Sequence, residues 1–319
     1  MKRIAVLTSG GDAPGMNAAI RSVVRVGYVR GVEVIGIYRG YRGLLEKDFR
    51  QMLPRDVSGI LEKGGTVLKT SRTIEFKEEK KQLRAITNMK KKGIEGLIVI
   101  GGNGSQTGSL ALFKKGFPTM GIASTIDNDL WGTDYTIGFD TAVNTAIGAI
   151  DKIRDTAESH DRTFIVEVMG RDTGFIAVDA GIAGGADIIL VPEVKFNINE
   201  IVYDIKNGMK KKKMHHLIVC AEGAIHARDL GKIIQERINI DVRVAVLGHI
   251  QRGGSPTRFD RLLASTLGEK AVNALLEKEK GKVVGIKDNK IILIPLEQAV
   301  TRKKKLNSKL YKLARELSV

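Results

Sequence analysis

Phe117-Pro118-Thr119-Met120-Gly121-Ile122-Ala123 runs without a break into Ser124-Thr125-Ile126-Asp127-Asn128-Asp129. A short apolar run that ends on clustered polar residues reads as a buried strand delivering side chains to a site. The same transition occurs twice upstream: Leu97 to Ile100 opens into Gly101-Gly102-Asn103-Gly104-Ser105, and Ile4 to Leu7 opens into Ser9-Gly10-Gly11-Asp12-Ala13-Pro14-Gly15. Three strand ends are therefore expected to converge on one cleft.

Further apolar runs at Val34–Tyr38, Phe164–Val168, Ile188–Val191, His216–Cys220 and Val242–Leu247 alternate with helical patterns at Asn17–Val26, Glu78–Lys92, Thr141–Ala157, Ile198–Lys212 and Thr257–Glu277. Strands covered on both faces by alternating helices form parallel sheets. The expected fold is α/β, with two lobes, each a mainly parallel sheet flanked by helices, and an active site in the cleft between them. At 319 residues the chain exceeds one typical domain. The expected division is 1–138 plus 256–305 and 139–255 plus 306–319, with the loop Trp131–Gly138 leading to the first crossing.

The 52 Lys and Arg against 36 Asp and Glu give a net charge of +16, which on its own would suit a polyanion partner. The distribution argues otherwise. Lys90-Lys91-Lys92, Lys210 to Lys213 and Lys303-Lys304-Lys305 fall near expected helix ends, where cations suit the helix dipole. Aromatics make up only 5%, so stacking platforms for single strands are scarce and nucleic acid is not expected as a partner. No run approaches a membrane span, and Met1-Lys2-Arg3 leads straight into a strand, so no membrane partner and a cytoplasmic location are expected. The lone Cys220, inside an apolar run, reads as a buried inert thiol.

Neither a Walker A pattern nor G-x-G-x-x-G occurs. Gly10-Gly11 and Gly101-Gly102-Asn103-Gly104 still bring bare backbone N–H groups to helix starts, which suits phosphate oxygens as well as an ordinary strand-to-helix turn. If 125–129 stays extended, its period of two puts Asp127 and Asp129 on one face, one to deprotonate an alcohol and one to help hold a cation; the same residues also suit an Asx turn. Arg162, Arg171, Arg243 and Arg252 at strand ends suggest anion recognition, and His249 shares a third Gly-rich loop with Arg252. His215 and His216 are not spaced as a zinc site, which leaves Mg²⁺ carried with a nucleotide.

Thr8 to Asn17, Thr125 to Asp129, Met169-Gly170-Arg171 and Gly248 to Thr257 together resemble, in order and spacing, the signatures of bacterial-type ATP-dependent 6-phosphofructokinases over nearly the whole chain. The resemblance implies that Asp127 takes the proton from the 1-hydroxyl of fructose 6-phosphate while Thr125 and Arg171 steady the transferring phosphoryl group. It implies ATP contacts at Gly11, Arg72, Thr73, Gly102, Asn103, Gly104 and Ser105, with Tyr41 and Gly108 near the nucleotide. Sugar-phosphate contacts are implied at Thr125, Asp127, Met169, Gly170, Arg171, Glu222, His249 and Arg252, joined by Arg162 and Arg243 from a neighbouring subunit of a homotetramer. An effector pocket for ADP and phosphoenolpyruvate is implied at Arg21, Arg25, Arg154, Gly185, Asp187, Lys211, Lys213 and His215.

Departures from the family pattern accompany these matches. Asp187 stands where a glutamate is usual, Lys211 where an arginine is usual and Gly59 where an acid is common, so an altered effector response is expected. Asn103 replaces an aspartate that helps hold Mg²⁺, which shifts that duty toward Asp129 or Asp12. Ser124 stands where ATP users have glycine and pyrophosphate users lysine, whereas Gly104 keeps the ATP-like choice. Three functions stay open on these residues: an ATP-dependent sugar-phosphate kinase, a pyrophosphate-dependent one, and a weakened sensor that lost its metal through Asn103.

Overall fold

The computed structural model describes residues 1–213 and 215–317. In chain order the elements are β1 (Arg3–Thr8), α1 (Met16–Val29), β2 (Glu33–Ile37), α2 (Gly40–Glu46), β3 (Phe49–Met52), α3 (Glu79–Lys91), β4 (Gly96–Gly101), α4 (Asn103–Lys114), β5 (Thr119–Ala123), α5 (Phe139–His160), β6 (Thr163–Val168), α6 (Phe175–Ala183), β7 (Ile188–Leu190), α7 (Ile198–Lys210), β8 (His216–Ala221), α8 (Ala227–Ile238), β9 (Val242–Val246), α9 (Arg258–Leu276), β10 (Lys282–Lys287), β11 (Lys290–Pro295), α10 (Leu296–Thr301) and α11 (Ser308–Glu316). They form two compact units, Met1–Thr141 with Arg252–Lys304 and Ala142–Gln251 with Lys305–Val319. Ser318 and Val319, expected in the second lobe, lie outside the described residues.

The first unit is built on a sheet of order β11-β10-β5-β4-β1-β2-β3. Pairing is parallel from β10 through β2 and antiparallel at both edges, so the sheet is mainly parallel. Ile4, Ala5, Val6 and Leu7 of β1 have no exposure, as a central strand covered on both faces requires. On one face α1 lies along α9, brought close by Gly268 against Ser22, whose hydroxyl donates to the Ser265 carbonyl at 2.6 Å. Because β5, β4 and β1 are parallel neighbours, their carboxyl ends open side by side on one edge. Convergence of those three strand ends follows directly from the topology.

The second unit carries a four-stranded parallel sheet, β7-β8-β6-β9. Ile165, Ile218 and Cys220 pack beneath Ile201 and Ile205 of α7 and Leu230 and Ile234 of α8, all buried. Desolvation, with a smaller contribution from Glu167, pushes the Cys220 thiol up to about 12, so it is an inert core group. The C-terminal helix α11 is tied to β7 by the Tyr311 hydroxyl, 3.2 Å from the Ile189 carbonyl.

Lys90 and Lys91 close α3 and Lys210 closes α7, as the dipole argument expects. Lys303 to Lys305 lie just past the end of α10, in its connection to α11. Among the described residues no helix is long and apolar enough to cross a membrane.

Candidate active site

In the first unit, the loop after β1 is fixed from two sides. The Ser9 N–H donates to the Ile100 carbonyl at 3.1 Å, and the Thr70 hydroxyl donates to the Gly10 carbonyl at 2.7 Å. After β4, helix α4 begins at Asn103, so its first N–H groups face the same sheet edge. Among the described residues, nothing beyond its chain neighbours and its own helix backbone lies within 4 Å of where a side chain at Gly104 would start. Gln106 holds the base of this helix, donating to the carbonyls of Val99, Gly101 and Ile122 at 3.0 to 3.3 Å.

Tyr41 supports α4 from below. Its ring stacks on Phe76 with centroids 4.2 Å apart, its hydroxyl donates to the Ser105 carbonyl, and burial raises its pKa above the ordinary tyrosine value. A methyl group at Gly108 would come within 2.6 Å of the Tyr41 ring, so the glycine is what lets helix and ring meet. The buried Tyr41 and the half-buried Gly108 thus form a support, while Arg72 is exposed and the Thr73 hydroxyl lies 3.3 Å from that of Ser71.

The segment after β5 is a turn, which corrects the extended reading of 125–129. Asn128 has a left-handed backbone with φ of 51°, so alternation does not place Asp127 and Asp129 on one face. The Asn128 side chain explains the turn: its amide donates to the Asp134 carbonyl at 3.0 Å and its oxygen accepts from the Thr136 N–H at 3.0 Å. The Thr136 hydroxyl donates to the Thr125 carbonyl at 2.6 Å, closing the loop on itself. Within it the Asp127 N–H donates to the Thr125 hydroxyl at 3.2 Å, and Asp127 is 9% exposed. The Ser124 hydroxyl points inward to the Ile137 carbonyl at 3.4 Å.

Asn103 and Asp129 meet directly: the amide donates to a carboxylate oxygen at 2.8 Å. This leaves an amide oxygen and nearby carboxylates as hard oxygen donors, the set Mg²⁺ accepts when most of its shell comes from water and phosphates. Among the described residues no cluster of three or more acidic, histidine or cysteine side chains is poised for a metal. The donor set fits an ion that arrives with its nucleotide.

In the second unit, three consecutive N–H groups after β6 are held from other elements. Met169 donates to Gln251 Oε1 at 2.8 Å, and Gly170 and Arg171 both donate to Glu222 Oε1, at 3.3 and 2.8 Å. This fixes Arg171 in a left-handed conformation, φ of 56°, with its guanidinium exposed and 3.7 Å from Asp172. Arg162 and Arg243 share one counter-ion, Asp241, at 2.8 and 3.0 Å. His249 is exposed.

Of the residues expected around an effector, Arg21, Arg25 and Gly59 belong to the first unit and the others to the second. Within the second, Arg154 donates to the Gly184 and Gly185 carbonyls, Lys213 pairs with Asp187 at 2.6 Å, and His215 lies 3.9 Å from Glu158. Asp187 also accepts the Leu217 N–H at 2.7 Å, and Lys211 is exposed. Lysine and aspartate here satisfy each other.

Next to them His216 is 4% exposed, and neither ring nitrogen has a partner among the described residues. Desolvation lowers its pKa, with Lys213 and His215 adding to the effect and Asp187 opposing it. A histidine held neutral costs stability once the unfolded chain begins to bind protons, so this contribution is lost as pH falls below about 6.5. His216→Phe is expected to flatten the fall in urea stability between pH 7 and pH 5.5. An equal fall in the variant and the wild type would contradict it.

Sequence reasoning missed Asp241 and Gln251 as organisers of these segments; Asn128 was readable as a turn former, but its partners were not. Gln251 stands inside the Gly248–Thr257 segment, but only its long-range bond to Met169 shows its task.

A phosphate-loop edge on one mainly parallel sheet and an arginine-bearing strand end on another define a sugar-phosphate kinase of the phosphofructokinase class. The pattern of that family, Phosphofructokinase, matches residues 3–275, and the chain belongs to it. Among curated relatives, the ATP-dependent 6-phosphofructokinase of Halalkalibacterium halodurans is 54% identical over 319 residues, covering 100% of both chains. The protein of the same description from Clostridium tetani is 53% identical over 318 residues, again covering 100% of both. The solved phosphofructokinase of Saccharomyces cerevisiae superposes with a TM-score of 0.88 at 39% identity, over 94% of this chain and 45% of that one.

Proposed function

We propose that this enzyme is an ATP-dependent 6-phosphofructokinase, transferring the terminal phosphoryl group of ATP to the 1-hydroxyl of fructose 6-phosphate to give fructose 1,6-bisphosphate and ADP. The observation that carries the reading is full-length identity above half to relatives of that description, with the buried Asp127 turn intact. Asp127 accepts the hydroxyl proton as the oxygen attacks, and Thr125, whose hydroxyl receives the Asp127 N–H, faces the transferring group beside it. The start of α4 and the Ser9–Gly15 loop hold the donor phosphates through backbone N–H groups. Arg171, with its backbone locked by Glu222, brings a guanidinium to the charge that develops. When Mg²⁺ is bound, with Asp129 and Asn103 as its protein contacts, it neutralises phosphate charge during transfer.

Pyrophosphate use is disfavoured by the open position at Gly104 and by the inward-facing Ser124 hydroxyl. We place the enzyme in the cytoplasm as a glycolytic homotetramer in which Arg162 and Arg243 serve a neighbouring site, with ADP and phosphoenolpyruvate as effectors. Their joint hold on Asp241 supports a paired role.

The test is an ATP and Mg²⁺ titration of wild type beside Asn103→Asp. Wild type is expected to turn over robustly, and the variant to need about tenfold less Mg²⁺ for half-maximal rate, because a second carboxylate replaces the amide against Asp129. Negligible wild-type turnover that Asn103→Asp restores would favour the sensor reading instead.

A further inference from the structure

His216 opens β8 and is enclosed by its own unit. Across the sheet it pairs with Thr163 of β6. On the other side a methyl group at Gly208 of α7 would overlap its Nε2 and lie 3.2 Å from its Cε1, so the ring rests on bare helix backbone. It is 4% exposed, and among the described residues neither ring nitrogen has a hydrogen-bond partner. An imidazole in such a place is stable only while it is neutral.

The charges that act on it are already committed to one another. Lys213 and His215 oppose a proton on His216, Asp187 favours one, and neither Gly208 nor Thr163 titrates. Asp187 divides its carboxylate: Oδ1 lies 2.6 Å from the Lys213 ammonium, and Oδ2 accepts the Leu217 N–H at 2.7 Å. While Lys213 holds Asp187, the pull of that carboxylate on a second cation is largely cancelled. Lys213 and His215, with Arg154, are also the cations that the effector reading above assigns to an anion. An anion there engages Lys213 and adds negative charge of its own. Both changes favour a proton on His216, with Asp187 as the carboxylate left to face it.

We infer that His216 makes effector binding proton-linked: an anion bearing phosphate or carboxylate groups, held by Arg154, Lys213 and His215, frees Asp187 from Lys213 and draws one proton from solvent onto His216. This rests on the effector reading. A site that takes up a proton as its ligand binds that ligand more tightly as pH falls, and by reciprocity the bound ligand makes the proton easier to take up.

Calorimetry of phosphoenolpyruvate binding near pH 7.5 and near pH 5.5 tests it on wild type, His216→Phe, His216→Gln and Asp187→Asn. The phosphate of the ligand itself titrates near pH 6 and His215 titrates as well, but both are common to all four proteins and cancel in the comparison. Relative to His216→Phe, wild type is expected to gain about threefold to tenfold in affinity from the higher pH to the lower, the size of one new charge pair. It should also take up about half a proton more per ligand near pH 6, read from binding heats in buffers of different ionisation enthalpy. His216→Gln, smaller and unable to titrate, should behave as His216→Phe does. Asp187→Asn keeps an acceptor for the Leu217 N–H but no charge, so it should lose the extra proton. Thermal unfolding establishes that each protein is folded at both pH values. The same pH dependence and proton uptake in wild type and both His216 variants would overturn the inference and leave the effector site standing, as would full proton uptake in Asp187→Asn. A wild type that binds no phosphoenolpyruvate at either pH would overturn the effector reading and this inference with it.

Discussion

Asp127→Asn is expected to lower kcat by about a thousandfold while MgATP affinity, measured without sugar phosphate, stays within about twofold of wild type. Asparagine matches the carboxylate in size but cannot take a proton from the 1-hydroxyl. The geometry of the turn should survive, because the clamps that set it come from Asn128 to Asp134 and Thr136, and from Thr136 to Thr125. The effect should therefore fall on the chemical step. Single-turnover rates with saturating ATP and fructose 6-phosphate check this, and a variant within about tenfold of wild type would remove Asp127 as the base.

How much of this was legible in the sequence depended on how local the cause was. β1, β4 and β5 were readable because each has an apolar core that ends on glycine or clustered polar residues, and burial on both faces demands that pattern. The long helices Arg258–Leu276 and Phe139–His160 announced themselves by period and length. The start of helix α4 was legible in its glycines but its extent was not, since its opening Asn-Gly-Ser-Gln-Thr-Gly has little helix propensity of its own. Tertiary bonds from Gln106 and the support of Tyr41 override that preference. The β10–β11 hairpin was also hidden, because its turn places Asp288 and Asn289 at φ of 48° and 59° without the glycine that marks most such turns.

The candidate site divides along the same line. Glycine spacing exposed the phosphate loops, and clustered carboxylates exposed the Thr125–Asp129 turn. An Asx turn stood open beside the extended reading, and which of the two holds was not readable, because it is decided by Asn128 bonding to residues six and eight positions onward. Partners farther away were invisible for the same reason. Gln251 meets Met169 across 82 residues, and Asp260 meets Gly138 across 122.

Asp260 gives the largest expected effect on stability. It has no exposure, and its carboxylate accepts the N–H groups of Gly138 and Thr141, both at 2.8 Å, together with the Thr141 hydroxyl. It therefore caps the start of α5 while Thr257 caps α9, whose first turn contains Asp260 itself. Asp260→Ala leaves two buried N–H groups unpaired at about 1–3 kcal/mol each, with a small void besides.

The pH dependence of that loss has a definite sign. Burial pushes the Asp260 carboxyl up to about 6, against the opposing bonds from Thr141 and Gly138. A carboxyl raised above its unfolded value of about 3.9 holds its proton more firmly in the folded chain, so its contribution to stability falls as pH rises from about 4 to about 6, by up to about 3 kcal/mol. Alanine does not titrate. The cost of Asp260→Ala should thus be greatest on the acid side, about 4 kcal/mol near pH 4.5, and smaller by about 2 kcal/mol at pH 7. Urea unfolding at the two values decides it, and a loss that is equal or larger at pH 7 would refute the assignment. The same substitution frees the far end of the Thr125–Gly138 loop, so kcat at pH 7 should fall as well, through misplacement of Asp127 and with ATP affinity retained.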